Sequence, residues 1–306
     1  MSLQSPLYGS AEFVPMATLN DILPLLDVEP LEAHLFRGQN DAGTPHVFGG
    51  QVLAQAIAAA YHTVDADRAL HSLHSYFIRA GDWNRPIIYD VERIRDGKSF
   101  TTRRVLALQD GRAILSMDAS FQTEEDGLFH ARPAPAVPKP DTLRSDYDRY
   151  MKLAKEHPRI ERFAFRYEAI ESRQVEGILM TDPRPYPPEK RTWMKTNGRL
   201  SDQLSQHQAV LAYLSDMDFM STSMLPHGRS PAGGDTIQGA SLDHSLWFHR
   251  PFRADEWLLF EKESPNAYGA RGFVRGHFYT EDGTLVASAM QECLIRPRPD
   301  GVKRKG

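Results

Sequence analysis

Two stretches of the chain repeat one pattern and decide its fold. Residues 73–122 read LHSYFIRAGDWNRPIIYDVERIRDGKSFTTRRVLALQDGRAILSMDASFQ, and residues 242–295, about 171 positions further on, read LDHSLWFHRPFRADEWLLFEKESPNAYGARGFVRGHFYTEDGTLVASAMQECLI. Each begins with an aromatic run that ends in an arginine, Arg79 or Arg250. An apolar strand, an arginine-bearing strand and an Asp-Gly pair follow in the same order, and Asp-Gly between apolar runs is a strong hairpin signal. The ordered match predicts a duplicated, β-rich chain.

One helix is predicted ahead of each set of strands. In the first copy, Gly49-Gly50-Gln51 precedes VLAQAIAAAYHTV, which is apolar on nearly all sides, as is typical of a buried helix. In the second copy, Ser201 is the predicted N-cap of DQLSQHQAVLAYLSD. A buried helix followed by antiparallel strands predicts an α+β unit with the helix packed on one face of the sheet.

Composition divides the chain into four predicted parts. Residues 1–125 form an N-terminal unit, and residues 126–160 form a linker and a connecting helix. In the linker, ARPAPAVPKP holds four prolines and favours an extended backbone, and the helix is predicted over residues 142–156. A C-terminal unit follows over residues 161–296, and residues 297–306 form a basic tail that is expected to fray.

Charge and hydrophobicity exclude several classes of protein. Among the 306 residues, 36 Lys and Arg oppose 40 Asp and Glu, and 41% are hydrophobic. This is ordinary for a globular protein, and it lacks the basic excess of nucleic-acid-binding proteins. Because no apolar run reaches the length of a membrane span and the N-terminus does not read as a signal peptide, we expect no membrane insertion. Cys293 is the only cysteine, which fits a reducing compartment, so a cytoplasmic protein is expected.

The sequence lacks the motifs of several common chemistries. It contains no G-x-S-x-G elbow, no Walker A loop and no G-x-G-x-x-G fingerprint. His71 with His74, and His244 with His249, are candidate metal-ligand pairs, but spacings of three and five place the two side chains of a strand on opposite faces. We therefore predict neither a metal site nor a cofactor.

Polar residues stand at three positions where apolar residues are expected. Asp216 ends the second predicted helix, where the helix dipole disfavours a carboxylate. Ser241 and Gln291 lie in strands of small and apolar residues. A solvent-facing position explains Asp216 as well as a functional one does, and the pattern favours the outward face of an alternating strand for Ser241 and Gln291, so periodicity alone would not single out these residues.

The chain resembles the acyl-CoA thioesterase II family, the double-hotdog thioesterases of bacteria and peroxisomes, over residues 35–295. The matching segments are HLFRGQN (34–40), VFGGQVLAQA (47–56), LHSYFIRAGD (73–82), PIIYDVERIRDGKSFTTRRV (86–105), YLSDMDF (213–219), SLDHSLWFHRPF (241–252), ARGFVRGHFYTEDGTLVAS (270–288) and MQE (290–292). The resemblance implies a double hotdog, in which two tandem units each wrap an antiparallel sheet around a long central helix.

The family's catalytic set maps onto Asp216 in YLSD, Ser241 in SLDHS and Gln291 in MQE. The resemblance implies that these residues orient and activate a water that hydrolyses medium- to long-chain fatty acyl-CoA to free fatty acid and coenzyme A. In the first half, the stretch aligned with MQE reads Met117-Asp118-Ala119. One working site per chain, in the second half, is therefore expected.

Several other residues are candidates for contacts with the substrate, but structural roles explain these residues equally well. Gln51 is a candidate to line the acyl channel, and Gly49 and Gly50 are expected to let the backbone approach a neighbour closely. Guanidinium groups suit phosphates, so several strand arginines are candidates to meet coenzyme A, although surface salt bridges explain them equally well. These are Arg79, Arg103, Arg250, Arg271 and Arg275.

Two other functions are alternatives, and the oligomeric state is also open. A hotdog enoyl-thioester hydratase is one alternative, but its Y-x-x-D-x-N-P-x-H segment is missing from the sequence. A non-catalytic acyl-CoA-binding protein is the other alternative. Because relatives of the resembled family assemble further, a homodimer or homotetramer is expected.

Overall fold

The computed structural model describes residues 18–40, 46–156, 166–179, 181–182, 184–229 and 237–298. The helices are α1 (Leu19–Leu26), α2 (Gly49–Tyr61), α3 (Asp146–Ala154), α4 (Arg166–Ala169) and α5 (Leu204–Asp216), with 3-10 turns at Pro140–Thr142 and Met220–His227. The strands of the first half are β1 (Glu29–Pro30), β2 (Leu35–Gly38), β3 (Arg68–Phe77), β4 (Ile87–Asp96), β5 (Phe100–Gln109) and β6 (Arg112–Thr123). Those of the second half are β7 (Ile170–Gln174), β8 (Glu189–Thr196), β9 (Ile237–Ser241), β10 (Asp243–Phe248), β11 (Leu258–Tyr268), β12 (Arg271–Thr280) and β13 (Leu285–Pro297).

The strands of both halves join into one antiparallel sheet. Its order is β1-β2-β4-β5-β6-β3-β10-β13-β12-β11-β8-β7, and β9 pairs with the end of β13. The halves meet where β3 pairs with β10. The two units therefore share a continuous sheet.

An approximate two-fold axis relates the halves and passes through the β3–β10 contact. His74 pairs with Ser245, and its Nδ1 lies 3.2 Å from Ser245 Oγ across a separation of 171 residues. On either side, Tyr76 pairs with Asp243 and Ser72 pairs with Trp247, so an exchange of strands at the same offset preserves the pairing. The predicted duplication is confirmed.

The central helices α2 and α5 pack against each other on the inner face of the sheet. Their contact is close at Gly50, where a Cβ would lie 2.7 Å from the carbonyl oxygen of Tyr213. The expectation that Gly50 permits a close backbone approach is confirmed. Alanines of α2 such as Ala56 and Ala59 are fully buried, which explains why this helix is apolar on nearly all sides.

The predicted starts of α5 and of the connecting helix α3 are each wrong by a few residues. The N-cap of α5 is Gln203, not Ser201. The Ser201 hydroxyl instead donates to Gln206 Oε1 at 2.8 Å, so it braces the first turn from outside the helix. In the connecting segment, a 3-10 turn ends at residue 142 and α3 begins after Ser145. The non-helical residues between them separate what was predicted to be one helix.

The proline-rich linker lies against the second half. Residues 124–139 contain no helix or strand, as expected of this composition. Trp193 Nε1 donates to the carbonyl oxygen of Pro138 at 2.9 Å, and Ala134 and Val137 pack on a cluster around Trp193. The three boundaries between the parts drawn from composition stay a prediction, and most of the basic tail lies outside the described residues.

The first Asp-Gly hairpin is the two-residue turn that its sequence predicts. Asp110 and Gly111 both have positive φ, at 49° and 69°, and they connect the paired residues Gln109 and Arg112. The second pair, at Asp282, lies in a longer turn closed by Thr280 and Thr284. No helix in the described ranges has the length and apolar character needed to cross a membrane.

Candidate active site

Asp216, Ser241 and Gln291 converge at one place in the fold. Gln291 Nε2 donates to Asp216 Oδ1 at 3.0 Å and to Ser241 Oγ at 2.5 Å. The Ser241 hydroxyl lies 3.5 Å from the same Asp216 oxygen. The structure thus brings together all three residues that the sequence resemblance singled out.

Secondary structure positions each member of this trio. Asp216 is the last residue of α5, and Ser241 is the last residue of β9, where it pairs with Cys293. Because side chains alternate along a strand, Gln291 points inward from β13 while its neighbour Met290 is 36% exposed on the outer face. Gln291 is fully buried, and its Oε1 has no hydrogen-bond partner within the described part of the chain. An unpaired buried acceptor is costly, so this oxygen is suited to receive a hydrogen bond from a reactant.

The first half contributes the opposite wall of the site. A Cβ on Gly49 would lie 2.7 Å from Asp216 Oδ2 and 3.0 Å from the Phe77 ring. The expected close approach at Gly49 is therefore confirmed, and its neighbour is the Asp216 carboxylate. The first N–H groups of a helix have no acceptor within that helix and form its positive end. The first turn of α2 consequently faces the acidic end of α5.

His244 fixes the last turn of α5 from β10. The Ser215 hydroxyl donates to the carbonyl oxygen of Ala212 at 2.8 Å and lies 2.8 Å from His244 Nε2. Since the hydroxyl has only one hydrogen, His244 is the donor in the second bond. Burial lowers the pKa of His244 to about 3, so the ring is neutral. The sequence pattern offers His244 only as a candidate metal ligand and contains no signal for its contact with Ser215.

Gln51 lies near the start of α2 but outside the trio. Its side chain is 3% exposed and donates from Nε2 to Gln39 O at 3.0 Å and to Asn40 Oδ1 at 3.2 Å. These bonds tie Gln39 and Asn40 to the start of α2. A role for Gln51 along the acyl channel stays a prediction.

The predicted phosphate-binding arginines are scattered over both halves. Arg79 and Arg250 each donate to a backbone carbonyl, that of Ala113 at 2.8 Å and that of Leu285 at 2.6 Å. The others are Arg271, which pairs with Glu292 at 2.8 Å, and Arg275, which pairs with Glu263 at 2.6 Å. Arg103 is 1% exposed and donates to Thr63 in the interior and to the exposed Asp96, so its prediction as a phosphate ligand is wrong. The partners of these arginines named above lie outside the trio.

The alignment of the two halves at Gln291 is wrong by one residue. His74 pairs with Asp118, and its symmetry mate Ser245 pairs with Met290. Gln291 therefore corresponds to Ala119, whereas Asp118 was aligned with it from sequence. A shift of one residue moves a side chain to the other face of the sheet, and Asp118 lies on the outer face, where it accepts from Arg104 at 2.9 Å.

The symmetry-related position in the first half has a different set of side chains. Tyr61 ends α2 as Asp216 ends α5, and Leu70 corresponds to Ser241 because their strand partners, Phe121 and Cys293, correspond. The Tyr61 hydroxyl donates to Gln208 and accepts from the Leu70 N–H at 2.9 Å. A cavity of about 710 Å³ opens beside Tyr61 at this end of the helix pair. Tyrosine, leucine and alanine thus replace the aspartate, serine and glutamine.

Metal-binding side chains do not cluster in the described ranges. No group of three or more His, Cys, Asp or Glu residues there has a geometry that could hold an ion. Cys293 is buried beside the site, and burial raises the pKa of its thiol to about 11. A thiol of this kind is a poor nucleophile.

Comparison with known proteins places the chain in a family. A family model described as "Acyl-CoA thioesterase" matches residues 173–294, and one described as "Acyl-CoA thioesterase N-terminal domain" matches residues 36–122. Acyl-coenzyme A thioesterase 8 of Mus musculus is 39% identical over 289 residues, which cover 91% of this chain and 89% of that protein. The chain belongs to the acyl-CoA thioesterase family. The resemblance found in the sequence is confirmed, and with it the prediction of a thioester hydrolase.

Several solved structures have the same fold as this acyl-CoA thioesterase. Acyl-CoA thioesterase II of Mycobacterium marinum superposes with a TM-score of 0.76 at 39% identity, covering 92% of this chain and 100% of that one. A hot dog fold protein of unknown function from Alicyclobacillus acidocaldarius superposes with a TM-score of 0.71 at 17% identity, covering 90% of this chain and 98% of that one. At this identity, the likeness shows a shared fold alone. The predicted α+β double hotdog is confirmed.

Proposed function

We propose that Asp216, Ser241 and Gln291 form the hydrolytic centre of this acyl-CoA thioesterase. The observation that carries the proposal is the Gln291 amide, which donates both to the Asp216 carboxylate and to the Ser241 hydroxyl. A buried amide that binds an acid and a hydroxyl fixes both in one orientation. Positioning of this kind removes much of the entropic cost of bringing water and thioester together.

In the proposed reaction, water is the nucleophile. It donates one hydrogen bond to Gln291 Oε1 and one to the Asp216 carboxylate. As its oxygen attacks the thioester carbonyl carbon, a proton passes to Asp216, which acts as general base. The C–S bond then breaks, and the proton moves to the departing coenzyme A thiolate. No covalent acyl-enzyme is required.

The developing oxyanion needs donors, and we propose that they are backbone amides of the first turn of α2. Their direction is set by the helix, whose first residue, Gly49, lies against Asp216. Pre-oriented N–H groups stabilise a tetrahedral oxyanion without reorganisation. Gly49 and Gly50 have no side chains, which lets the Asp216 carboxylate and the Tyr213 carbonyl lie close to this turn.

One such centre is proposed per chain. The symmetry-related position offers Tyr61, Leu70 and Ala119, and these supply neither a carboxylate base nor an amide to orient it. Medium- to long-chain acyl groups are the proposed substrates, since aromatic rings such as Phe48 and Phe77 border the start of α2. Family membership favours hydrolysis over the hydratase and the non-catalytic binding protein.

A homo-oligomer formed through the outer face of the sheet is also proposed. Tyr76, 68% exposed, and Met290, 36% exposed, lie on this face near the two-fold axis. A second copy of the chain would cover them. Tyr76→Glu is expected to yield single chains in size-exclusion chromatography with light scattering, and an unchanged assembly would exclude this face. A cytoplasmic location fits the single buried Cys293 and stays part of the proposal.

A double-mutant cycle tests the centre. Release of free thiol from dodecanoyl-CoA is measured for Ser241→Ala, Gln291→Ala and the double variant. If the residues act as a unit, the double variant loses about as much kcat as the worse single variant, because effects within a catalytic unit are non-additive. Losses that simply multiply, or a Gln291→Ala variant with wild-type turnover, would contradict the proposal. A panel of butanoyl-, octanoyl-, dodecanoyl- and palmitoyl-CoA tests the chain-length range.

A further inference from the structure

A polar cavity of about 340 Å³ lies at the rim of the first half. It is formed where β3 ends and where the β5–β6 hairpin turns. Its polar lining includes Arg79, Asp82, Arg85, Gln109, Asp110 and Arg112. The proposed reaction uses none of these side chains.

The cavity adjoins the proposed active site through two short stretches of backbone. Phe77 packs against Gly49 at the start of α2, and Arg79 is two residues further along. The Val47 N–H donates to Gly81 O at 3.1 Å, and a Cβ on Gly81 would lie 3.1 Å from the Val47 side chain. The residues that lead into α2 and those that line the cavity are therefore in direct contact.

Positive charge is in excess in the cavity. Arg85 is held by Asp82 at 3.3 Å and by Asp110, and the hydrogen bond that Arg85 donates to the Asp110 carboxylate raises the pKa of Arg85. Arg79 and Arg112 form no ion pair within the described ranges. Arg79 is anchored through one guanidinium nitrogen to Ala113 O, which leaves its other N–H groups to meet an anion.

The symmetry mate of Arg79 is in a different environment. Arg250 makes the equivalent bond to the Leu285 carbonyl, but the Phe129 ring lies 4.8 Å over its guanidinium. Arg250 also belongs to the end of the helix pair that carries Tyr61 in place of an aspartate. Of the two equivalent arginines, the one beside the proposed catalytic residues is exposed and the other is covered.

We propose that Arg79 and Arg112 bind phosphate groups of the nucleotide portion of the coenzyme A thioester. Planar guanidinium groups with unused donors bind phosphates by charge-assisted hydrogen bonds. The pantetheine arm would lie along Phe77 and the start of α2, with the thioester at Asp216. This inference rests on the proposed function, because it places the nucleotide relative to that site.

The test compares two thioesters of the same acyl group, dodecanoyl-CoA and dodecanoyl-N-acetylcysteamine, which has no nucleotide. For Arg79→Ala and for Arg112→Ala, the ratio of kcat/KM for the first substrate to that for the second is expected to fall about ten- to a hundredfold through KM, as for the loss of hydrogen bonds to a charged group. Arg93→Ala, which changes an exposed arginine of the same half with no ion pair among the described residues, should leave the ratio unchanged.

Each outcome has a separate meaning. An unchanged ratio in both arginine variants overturns the phosphate site, whereas a wild-type protein that hydrolyses neither thioester overturns the proposed function itself. The Arg79→Ala variant also loses the hydrogen bond from Arg79 to Ala113 O, which could disturb the β5–β6 hairpin. The Arg112→Ala variant lacks this complication and tests the phosphate site independently. A substrate made from dephospho-CoA then identifies the phosphate: loss of the Arg79 effect assigns the 3′-phosphate, and its retention assigns the pyrophosphate.

Discussion

Gly49 of the first half and Asp216 of the second half are in contact: a methyl group on Gly49 would lie 2.7 Å from the Asp216 carboxylate. The two helices pack side by side and antiparallel, so the start of α2 at Gly49 lies beside the end of α5 at Asp216, at the proposed site. Neither half contains that site by itself. The duplication therefore matters for function, because the continuous sheet of the two halves holds the start of α2 beside the end of α5.

Gly49→Ala should abolish most turnover without unfolding the protein. Alanine is favourable in a helix, but its methyl group displaces the carboxylate, and small displacements of a catalytic group cost about a hundredfold in rate. We expect kcat for dodecanoyl-CoA to fall by about that factor. Gly127→Ala is the matched control, since nothing lies within 4 Å of the Cβ position at Gly127. Equal activity of both variants would refute the proposed contact.

Tyr61→Phe tests whether the symmetry-related position takes part in catalysis. The variant leaves the Leu70 N–H and the Gln208 amide without their hydroxyl partner, so we expect a loss of about 1–3 kcal/mol in the free energy of unfolding. The value of kcat should stay within about twofold, a change of less than 0.5 kcal/mol in the barrier. A loss of turnover comparable to that of an Asp216 variant would mean that both ends of the helix pair are catalytic.

His244 should make stability fall in mild acid. In the folded chain burial lowers its pKa from 6.5 to about 3, so between these values the unfolded state binds more protons than the folded state. Its contribution to stability is complete above pH 6.5 and is lost as the pH falls toward 3. Between pH 7 and pH 5, wild type should lose about 2 kcal/mol more than His244→Gln in urea unfolding. The exposed His74→Gln variant is the control, and equal losses in wild type and His244→Gln would refute a neutral buried ring.

A buried charge cluster beyond α5 predicts a large effect at Asp218. Burial alone would raise the pKa of Asp218, but attraction to Lys190 and Lys262 lowers it overall, while burial lowers the pKa of Lys262 to about 8. Asp218→Asn leaves two buried ammonium groups without their counter-charge, and we expect a loss of about 3–5 kcal/mol in denaturant unfolding. Lys262→Met should cost far less. The reverse order of these two variants would contradict the assignment.

Periodicity and turn chemistry were sufficient to predict the architecture. The repeated Asp-Gly pairs, the Ala-rich helix and the 171-residue offset together indicated a duplicated α+β unit, and the same offset relates His74 to Ser245 at the axis. Helix starts were less accurate. At Ser201, the hydroxyl found an acceptor in Gln206, and the cap moved to a residue with no capping side chain.

The candidate site depended on tertiary contacts that no local pattern records. Asp216, Ser241 and Gln291 were named through family resemblance, since each alone is equally well explained as a solvent-facing residue. Their convergence arises from the pairing of β9 with β13 and from the position of the end of α5 beside β9. The misalignment at Asp118 has a related cause. Asp118 and Ala119 are adjacent and lie on opposite faces of the sheet, and only the pairing of β6 with β3 shows that Ala119 is the one that corresponds to Gln291.

The kcat of Asp216→Asn on dodecanoyl-CoA tests the account most directly. Asparagine keeps the size and the hydrogen-bonding oxygen that Gln291 contacts, so the variant should fold and bind substrate normally. It cannot accept a proton from water, and general-base catalysis contributes about a hundred- to ten-thousandfold. If Asp216 is the general base, kcat falls by that factor while the thermal unfolding curve stays that of wild type. Turnover close to that of wild type would contradict it.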